Sequence, residues 1–310
     1  MNTRKSVLFV MLNVLLLVAF ISAGCAPAAT PTPTAAPTKA PTAAPTVAPT
    51  AALDIKAVVT KYISSLPDGF SGIAPAALKD QMAATKIFLL DVREAKELTD
   101  NGFIEGTVNI PIRTLTQNLD KLPAKDQPIV VYCAIGHRGA IAMTVLQLLG
   151  YTNVKSLSGG FNAWKAANLP VATGTPVAPT AGAKPAVDQA LFAVLDKYVT
   201  TLPDGFSGIA PAALKDQMAA AKPFLLDVRE AKELTDNGYI EGAVNVPIRS
   251  LVTDLAKLPQ DKGAAIVVYC AVGHRGGIAL VALQLLGYTN VKSLSGGFNA
   301  WKAANLPVVK

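Results

Sequence analysis

The chain has few of the residues that hold metals or build disulfide networks. Its 310 residues include three cysteines, at positions 25, 133 and 270, and two histidines, at positions 137 and 274. Three widely spaced cysteines exclude a disulfide framework. Cys133 and His137 would be two ligands of a zinc ion that needs two more, so no metal site is expected. No cofactor is expected either. A dithiol redox site is disfavoured, because no second cysteine stands near Cys133 or Cys270 to resolve a disulfide.

Charged residues are also scarce, at 16% of the chain, and the net charge of +7 comes from scattered lysines and arginines. A net positive charge is typical of proteins that bind nucleic acid, membrane surfaces or small anions. The sequence contains no basic stripe with interleaved aromatic residues, so no nucleic-acid partner is expected. A solvated surface is the simpler explanation of the charge.

The first 25 residues form a typical export signal. Arg4 and Lys5 precede an apolar run from Val7 to about Ile21, and small residues follow it. The apolar run is short for a membrane-spanning helix. Ser22-Ala23-Gly24-Cys25 resembles the lipobox of bacterial lipoproteins, which implies lipidation of Cys25; the alternatives are an ordinary cleaved signal and an uncleaved anchor. We therefore expect an exported chain, anchored through lipid to the outer face of the bacterial cytoplasmic membrane or to the cell envelope.

Residues 26–52 consist almost wholly of alanine, proline and threonine. Such a segment has too few large apolar groups to offset the entropy of ordering, and its prolines favour extended conformations. The composition predicts a disordered stalk.

Beyond the stalk, the chain contains nearly the same sequence twice. LPDGFSGIAPAALKDQMAA occupies 66–84 and recurs at 202–220, and GYTNVKSLSGGFNAWKAANLPV occupies 150–171 and recurs at 287–308. A stretch rich in proline, alanine and threonine separates the copies. We predict a first domain at 53–171, a linker at 172–187 and a second domain at 188–310.

Within each copy, strand and helix patterns alternate. FLLDV (88–92), IVVYC (129–133) and NVKSL (153–157) are short apolar runs typical of buried strands. APAALKDQMAA and GAIAMTVLQLLG have helical patterns, with Pro75 in a first turn and Gly150 as a stop. This alternation predicts an α/β fold with a parallel sheet flanked by helices, and ligands then bind beyond the carboxyl ends of the strands.

VYCAIGHRGAIA places a cysteine at such a strand end. The segment Cys133–Arg138 is predicted to be the turn between the central strand and the following helix. Backbone N–H groups at a helix N-terminus favour an anion, so a thiolate is stabilised there. Gly136 permits a tight turn. Arg138 can either hold an oxyanion or fix the loop by pairing with a carboxylate. His137 can add charge near the thiolate, contact an anion, or face solvent.

Four motifs in this order resemble the rhodanese family across nearly all of each copy: LLDVREAKEL, GFIEGTVNIPI, C-x-x-G-x-R and GGFNAWKAANLP. The resemblance implies two tandem rhodanese-like domains and sulfur transfer through a cysteine persulfide. Thiosulfate or polysulfide would donate the sulfur, and cyanide or a thiol would accept it.

The resemblance also assigns residues in both copies. The nucleophiles would be Cys133 and Cys270. The persulfide-holding loops would be Ala134, Ile135, Gly136, His137 and Arg138, and Ala271, Val272, Gly273, His274 and Arg275. The D-x-R-E segments near these loops would be Asp91, Arg93 and Glu94, and Asp227, Arg229 and Glu230. Whether Asp91 and Arg93 form only a structural ion pair or shape the pocket is open at this point. The closing Gly159, Gly160 and Trp164, with Gly296, Gly297 and Trp301, are assigned to packing.

Two other functions compete with the enzyme. Phosphatases and arsenate reductases use a similar cradle, but protein phosphatases have C-x5-R, whereas four residues separate Cys133 from Arg138. A non-catalytic module that carries or senses persulfide sulfur at the cell envelope would need the same loop. Because both loops are complete, we expect two sites that work independently.

Overall fold

Two five-stranded parallel sheets form the frame of the described part of the chain. A computed structural model describes residues 53–310; the export signal, Cys25 and the stalk lie outside the described residues. The strand order is β1-β5-β4-β2-β3 in the first sheet and β6-β10-β9-β7-β8 in the second, and all pairs are parallel. The predicted fold of two tandem α/β domains is confirmed.

The first domain contains five strands and five helices. Its strands are β1 Gly72–Ile73, β2 Phe88–Asp91, β3 Val108–Asn109, β4 Ile129–Tyr132 and β5 Val154–Leu157. Its helices are α1 Ile55–Ser64, α2 Pro75–Ala84, α3 Ala95–Asn101, α4 His137–Leu148 and α5 Gly160–Ala166. Three predicted strands correspond to β2, β4 and β5. The sequence missed β1 and β3, because two residues are too few to show a periodic pattern.

The second domain repeats this arrangement. Its strands are β6 Gly208–Ile209, β7 Phe224–Asp227, β8 Val244–Asn245, β9 Ile266–Tyr269 and β10 Val291–Leu294. Its helices are α6 Gln189–Thr200, α7 Pro211–Ala221, α8 Ala231–Asn237, α9 His274–Leu285 and α10 Gly297–Ala303. Single 3₁₀ turns lie between these elements, among them Asp68–Ser71, Ile112–Thr114 and Asp204–Ser207. In the residues 53–310, no helix combines the length and apolar character needed to cross a bilayer.

Helices α4 and α9 pack against each other, so the two domains share one hydrophobic core. One face of α4 packs on β4 and β5 of its own sheet, yet every residue from His137 to Leu146 is buried. The second face is covered by α9. At the crossing, a Cβ atom added at Gly277 would lie 2.8 Å from the Cβ of Ala140. The position equivalent to Gly277 in the first domain is Ala140 itself, so one methyl group occupies the space between the helices.

The first helix of each domain extends this interface. Helix α1 packs on α9 of the second domain, and α6 packs on the turn Ile112–Thr114 of the first. The hydroxyl of Thr116 donates a 2.7 Å hydrogen bond to the carboxylate of Asp196. Residues 53–310 thus form a single compact unit.

Candidate active site

Cys133 directly follows β4, the central strand of the first sheet, at its carboxyl end. Gly136 has a left-handed backbone, with φ of 89°, and is the N-cap of α4. Its N–H donates a 3.2 Å hydrogen bond to the Cys133 sulfur. The sequence interpretation placed His137 and Arg138 in the turn before the helix. Helix α4 in fact begins at His137, so both residues lie in its first turn. Glycine has no side chain that could cap the helix, so Gly136 leaves the N–H groups of the first turn available to bind an anion.

Helix α5 holds the loop from the other side. The N–H groups of Phe161 and Asn162 donate to the carbonyl oxygens of Cys133 and Ala134 at 2.7 and 2.9 Å. Gly160 has φ of +61°, and a Cβ there would lie 2.6 Å from the Gly136 nitrogen and also meet the Cys133 carbonyl oxygen. The glycines assigned to packing therefore do pack, and what they contact is the backbone of the cysteine loop.

Arg138 adopts the second of its two expected roles, pairing with a carboxylate. Its two terminal nitrogens donate to both oxygens of Glu97, each at 2.6 Å. Burial penalises the charge, but Glu97 and the Cys133 sulfur together raise the pKa of Arg138 above its usual value. Burial also opposes ionisation of Glu97, but the bonds from Arg138 lower the pKa of Glu97 below its usual value. Both groups are therefore charged at neutral pH, and the pair fixes the start of α4.

Glu97 is a site residue that the sequence interpretation missed. It lies on α3, where it accepts a 3.0 Å hydrogen bond from the N–H of Glu94, the N-cap of that helix. Glu94 thus acts on the cysteine loop through Glu97. The spacing of Glu94 and Glu97 is that of a capping box, which predicts a helix start but gives no sign of the contact with Arg138.

Asp91 and Arg93 form a fully buried ion pair beneath the site, 2.6 Å apart. The guanidinium of Arg93 also donates to the Gly102 carbonyl oxygen, and it lies 4.4 Å from the ring centre of Phe161. Because the Phe161 N–H binds the Cys133 carbonyl oxygen, the pair supports the loop through one intermediate residue. The ion pair of Asp91 and Arg93 thus affects the shape of the pocket indirectly, through Phe161.

His137 is buried, with 4% of its surface exposed, so the alternative of a solvent-facing histidine is wrong. Its Nε2 donates a 2.8 Å hydrogen bond to the carbonyl oxygen of Phe206, in the second domain. Burial lowers the pKa of His137, the bond to Phe206 partly opposes the shift, and the charge of Arg138 adds to it. The ring is therefore neutral at pH 7 and brings no positive charge to the thiolate.

A pocket of about 290 Å³ opens above Cys133. Both domains line it: its walls are Glu97, Cys133, Ala134, Ile135, His137, Arg138, Gly205, Phe206 and Ser295. Cys133 itself has no exposed surface, so its sulfur lies at the bottom of the pocket. In residues 53–310, no group of three or more histidine, cysteine or acidic side chains is arranged to hold a metal ion.

The second site repeats the contacts with the following helix, with a carboxylate and with the opposite domain. Cys270 follows β9, and its carbonyl oxygen accepts a 2.7 Å bond from the N–H of Phe298. Arg275 binds both oxygens of Glu233 at 2.6 and 2.7 Å. His274 donates to the carbonyl oxygen of Phe70, in the first domain, at 2.7 Å. Asp227, Arg229 and Glu230 take the places of Asp91, Arg93 and Glu94. The structure brings together, within each domain, the residues that the sequence interpretation grouped.

Two segments of the chain, residues 74–167 and 210–304, match the family model of the rhodanese-like domain. A putative thiosulfate sulfurtransferase from Mycolicibacterium smegmatis is 26% identical over 267 residues, which cover 72% of this chain and 91% of the relative. The uncharacterized protein slr1261 from Synechocystis is 37% identical over 102 residues, covering 33% of this chain and 55% of that protein. This chain therefore matches only about half the length of the Synechocystis relative.

A solved structure of a rhodanese-related protein from Thermoplasma volcanium is 35% identical, with a TM-score of 0.31, and the match covers 33% of this chain and 98% of that one. The two segments that match the family model make up well over half of the chain. The chain belongs to the rhodanese-like domain family, with two copies of the domain in tandem.

Proposed function

We propose that this protein is a sulfurtransferase that moves sulfane sulfur from thiosulfate or a polysulfide to cyanide or a thiol, through persulfides on Cys133 and Cys270. One observation carries the proposal. The Cys133 sulfur lies at the bottom of a small pocket, at a helix N-terminus, where the Gly136 N–H already donates to it. Such a position stabilises negative charge on sulfur, first as thiolate and then as persulfide.

The two proposed transfer steps conserve atoms and electrons without a cofactor. The thiolate attacks the outer sulfur of thiosulfate, the sulfur–sulfur bond of the donor breaks, and sulfite leaves with the bonding electrons. The resulting persulfide carries one negative charge, as the thiolate did, and the loop N–H groups can hold it. Cyanide then attacks the terminal sulfur, thiocyanate leaves, and the cysteine thiolate returns. The protein is neither oxidised nor reduced over the cycle.

Steady-state formation of thiocyanate from thiosulfate and cyanide tests this proposal. We expect turnover that is lost when both Cys133→Ser and Cys270→Ser are present. Each single serine variant should retain about half of the activity, because each loop keeps its own nucleophile. Stoichiometric sulfur loading from thiosulfate and polysulfide without turnover would favour a carrier or sensor over the enzyme. Loss of all activity in one single variant would contradict independent sites.

The proposed location rests on the sequence of residues 1–25 alone. A lipid on Cys25 would anchor the two domains to the outer face of the cytoplasmic membrane or to the cell envelope. Incorporation of radiolabelled palmitate, abolished by Cys25→Ala, is the expected result. Unchanged membrane attachment of the Cys25→Ala protein would overturn this part of the proposal.

A further inference from the structure

Each candidate site includes an aromatic side chain from the other domain. Phe206, in the turn Asp204–Ser207 of the second domain, lines the pocket above Cys133. Its ring centre lies 4.9 Å from the guanidinium carbon of Arg138. In the reciprocal contact, the ring centre of Phe70 lies 5.2 Å from the guanidinium carbon of Arg275, beside Cys270. In each domain, the short segment LPDGFSG therefore contributes to the site of the other domain.

A second arginine holds each of these rings in place. Arg113, in the first domain, lies 4.5 Å from the ring centre of Phe206. It also donates hydrogen bonds to the carbonyl oxygens of Leu202 and Pro203, each at 2.9 Å. Arg249 does the same in the second domain: it lies 4.8 Å from the ring centre of Phe70 and donates to the Leu66 carbonyl oxygen at 2.9 Å. Each phenylalanine ring is thus enclosed by two arginines of the opposite domain.

The backbone of these turns is unusual in the same place. Gly205, Phe206 and Ser207 have φ values of 75°, 54° and 56°, all in the left-handed region. The first domain repeats this at Gly69, Phe70 and Ser71. Positive φ is rare for a bulky residue and persists only where surrounding contacts enforce it, which happens most often at functional sites. The arginine bonds and the histidine bonds to the Phe206 and Phe70 carbonyl oxygens supply those contacts.

We propose that Phe206 and Phe70 are specificity-determining residues, each of which restricts access to the cysteine of the other domain. Cys133 and Cys270 have at most 1% of their surface exposed, and the pocket above Cys133 holds about 290 Å³. A pocket of that size suits a small molecule, at the lower end of the usual range for ligand sites. Under the function proposed above, donors and acceptors are therefore small anions and small thiols, and a bulky or protein-bound thiol is excluded by the aromatic wall.

The test compares the two cysteines within one full-length protein and needs no sulfur transfer. The protein is labelled for short times with iodoacetamide, which is small, or with a long-chain biotin maleimide, which is bulky. Mass spectrometry then quantifies the tryptic peptides 126–138 and 263–275, which differ in sequence and each carry one cysteine. Phe206→Ala should raise maleimide labelling of Cys133 relative to Cys270 by roughly fivefold, and Phe70→Ala should shift the ratio the other way. The same ratio measured with iodoacetamide should change less than the ratio measured with the maleimide, because the smaller reagent is less hindered by the phenylalanine ring.

Two results would overturn the proposal. One is increased maleimide labelling of the cysteine in the same domain as the substituted phenylalanine. The other is a labelling ratio of Cys133 to Cys270 that is unchanged in both variants. Should an alanine variant fail to fold, Phe206→Leu and Phe70→Leu keep most of the side-chain volume and should give smaller shifts in the same directions. Because labelling does not depend on turnover, a protein that lacks sulfurtransferase activity can still show these shifts. Failure of the proposed function and failure of this inference are therefore distinguishable.

Discussion

The methyl group of Ala140 fills the space beside Gly277, at the crossing of α4 and α9, where a second methyl group would come within 2.8 Å of the first. The two positions are equivalent in the repeated sequence, so the copies differ at the point where the domains meet. An alanine at both positions would place two methyl groups in the space of one. This contact makes the domain interface sensitive to a single carbon atom.

Gly277→Ala should therefore destabilise the protein, by about 1–3 kcal/mol, as overpacking of a close contact does. The sign is informative, because alanine in an unhindered helix would stabilise it by up to about 1 kcal/mol relative to glycine. Chemical denaturation of the full chain measures the change. Adding Ala140→Gly to Gly277→Ala exchanges the two residues and should restore most of the lost stability. A stabilising effect of Gly277→Ala alone would contradict the packing.

Acid should weaken the folded protein through His137 and His274. Burial lowers the pKa of each below the ordinary value of 6.5. The unfolded chain then binds more protons than the folded one in the range just below pH 6.5, so the free energy of unfolding falls as the pH falls through that range. Above pH 6.5 both histidines are neutral in the folded and the unfolded chain, so the full free energy of unfolding is retained. Denaturation curves at several pH values measure it.

A variant with glutamine at both histidine positions is the matched control. Glutamine keeps an N–H that can donate to the carbonyl oxygen of Phe206 or Phe70, but it does not titrate. The dependence of the free energy of unfolding on pH just below pH 6.5 should flatten in this variant. Glu97 and Glu233, whose pKa values are lowered by their arginine partners, lose their contribution only below about pH 4.5, so their effect is separable. An unchanged slope would show that the histidines do not titrate as expected.

Glu97→Gln should reduce sulfur transfer at Cys133. The substitution removes the charge that fixes Arg138, and hydrogen bonds to charged groups contribute about 1.5–3 kcal/mol each. In the Cys270→Ser background, which leaves one working site, we expect kcat/KM to fall by roughly tenfold. Glu105→Gln, an exposed carboxylate of the same domain, is the control.

Positioning by Glu97 is distinguishable from a purely structural role. If Glu97 acts on the loop, kcat/KM falls more than the small change in thermal midpoint explains, and Glu97→Asp restores part of it. Equal effects of the Glu97 and Glu105 substitutions on kcat/KM would contradict the assignment.

Much of the fold follows from patterns along the chain. IVVY is apolar on both faces and is followed by a glycine-bearing segment, so a buried strand and a turn at Cys133 could be predicted. The loop residues and the ion pair of Asp91 and Arg93 lie within short, ordered motifs. These features depend on local sequence, which is where sequence reasoning is strongest.

The remaining features depend on contacts between distant segments. Glu97 lies 41 residues from Arg138, and Phe206 lies 69 residues from His137. No periodic pattern connects them. The repeat predicts that two similar domains exist, but it says nothing of how α4 meets α9. That arrangement decides which phenylalanine lies above which cysteine.

Gly160→Ala should disable the Cys133 site. The new Cβ would lie 2.6 Å from the Gly136 nitrogen, so the loop would have to move. Gly106→Ala is a matched control, because Gly106 also has positive φ, at +81°, but a Cβ there would meet nothing within 4 Å. Both variants lose about 1–2 kcal/mol of stability to the left-handed backbone.

Only Gly160→Ala should also lose turnover in the Cys270→Ser background, because only its methyl group reaches the cysteine loop. Thiocyanate formation and thermal unfolding separate the two effects. Equal turnover in the two variants would argue against the role of α5 in holding the loop.

The proposed persulfide is tested most directly by intact mass spectrometry of the purified protein after exposure to thiosulfate and, separately, to polysulfide. The account predicts a gain of one sulfur atom on Cys133 and one on Cys270, removed by cyanide and absent from the variant with serine at both positions. A protein that gains no sulfur from either donor, or gains it elsewhere than on these two cysteines, would contradict it.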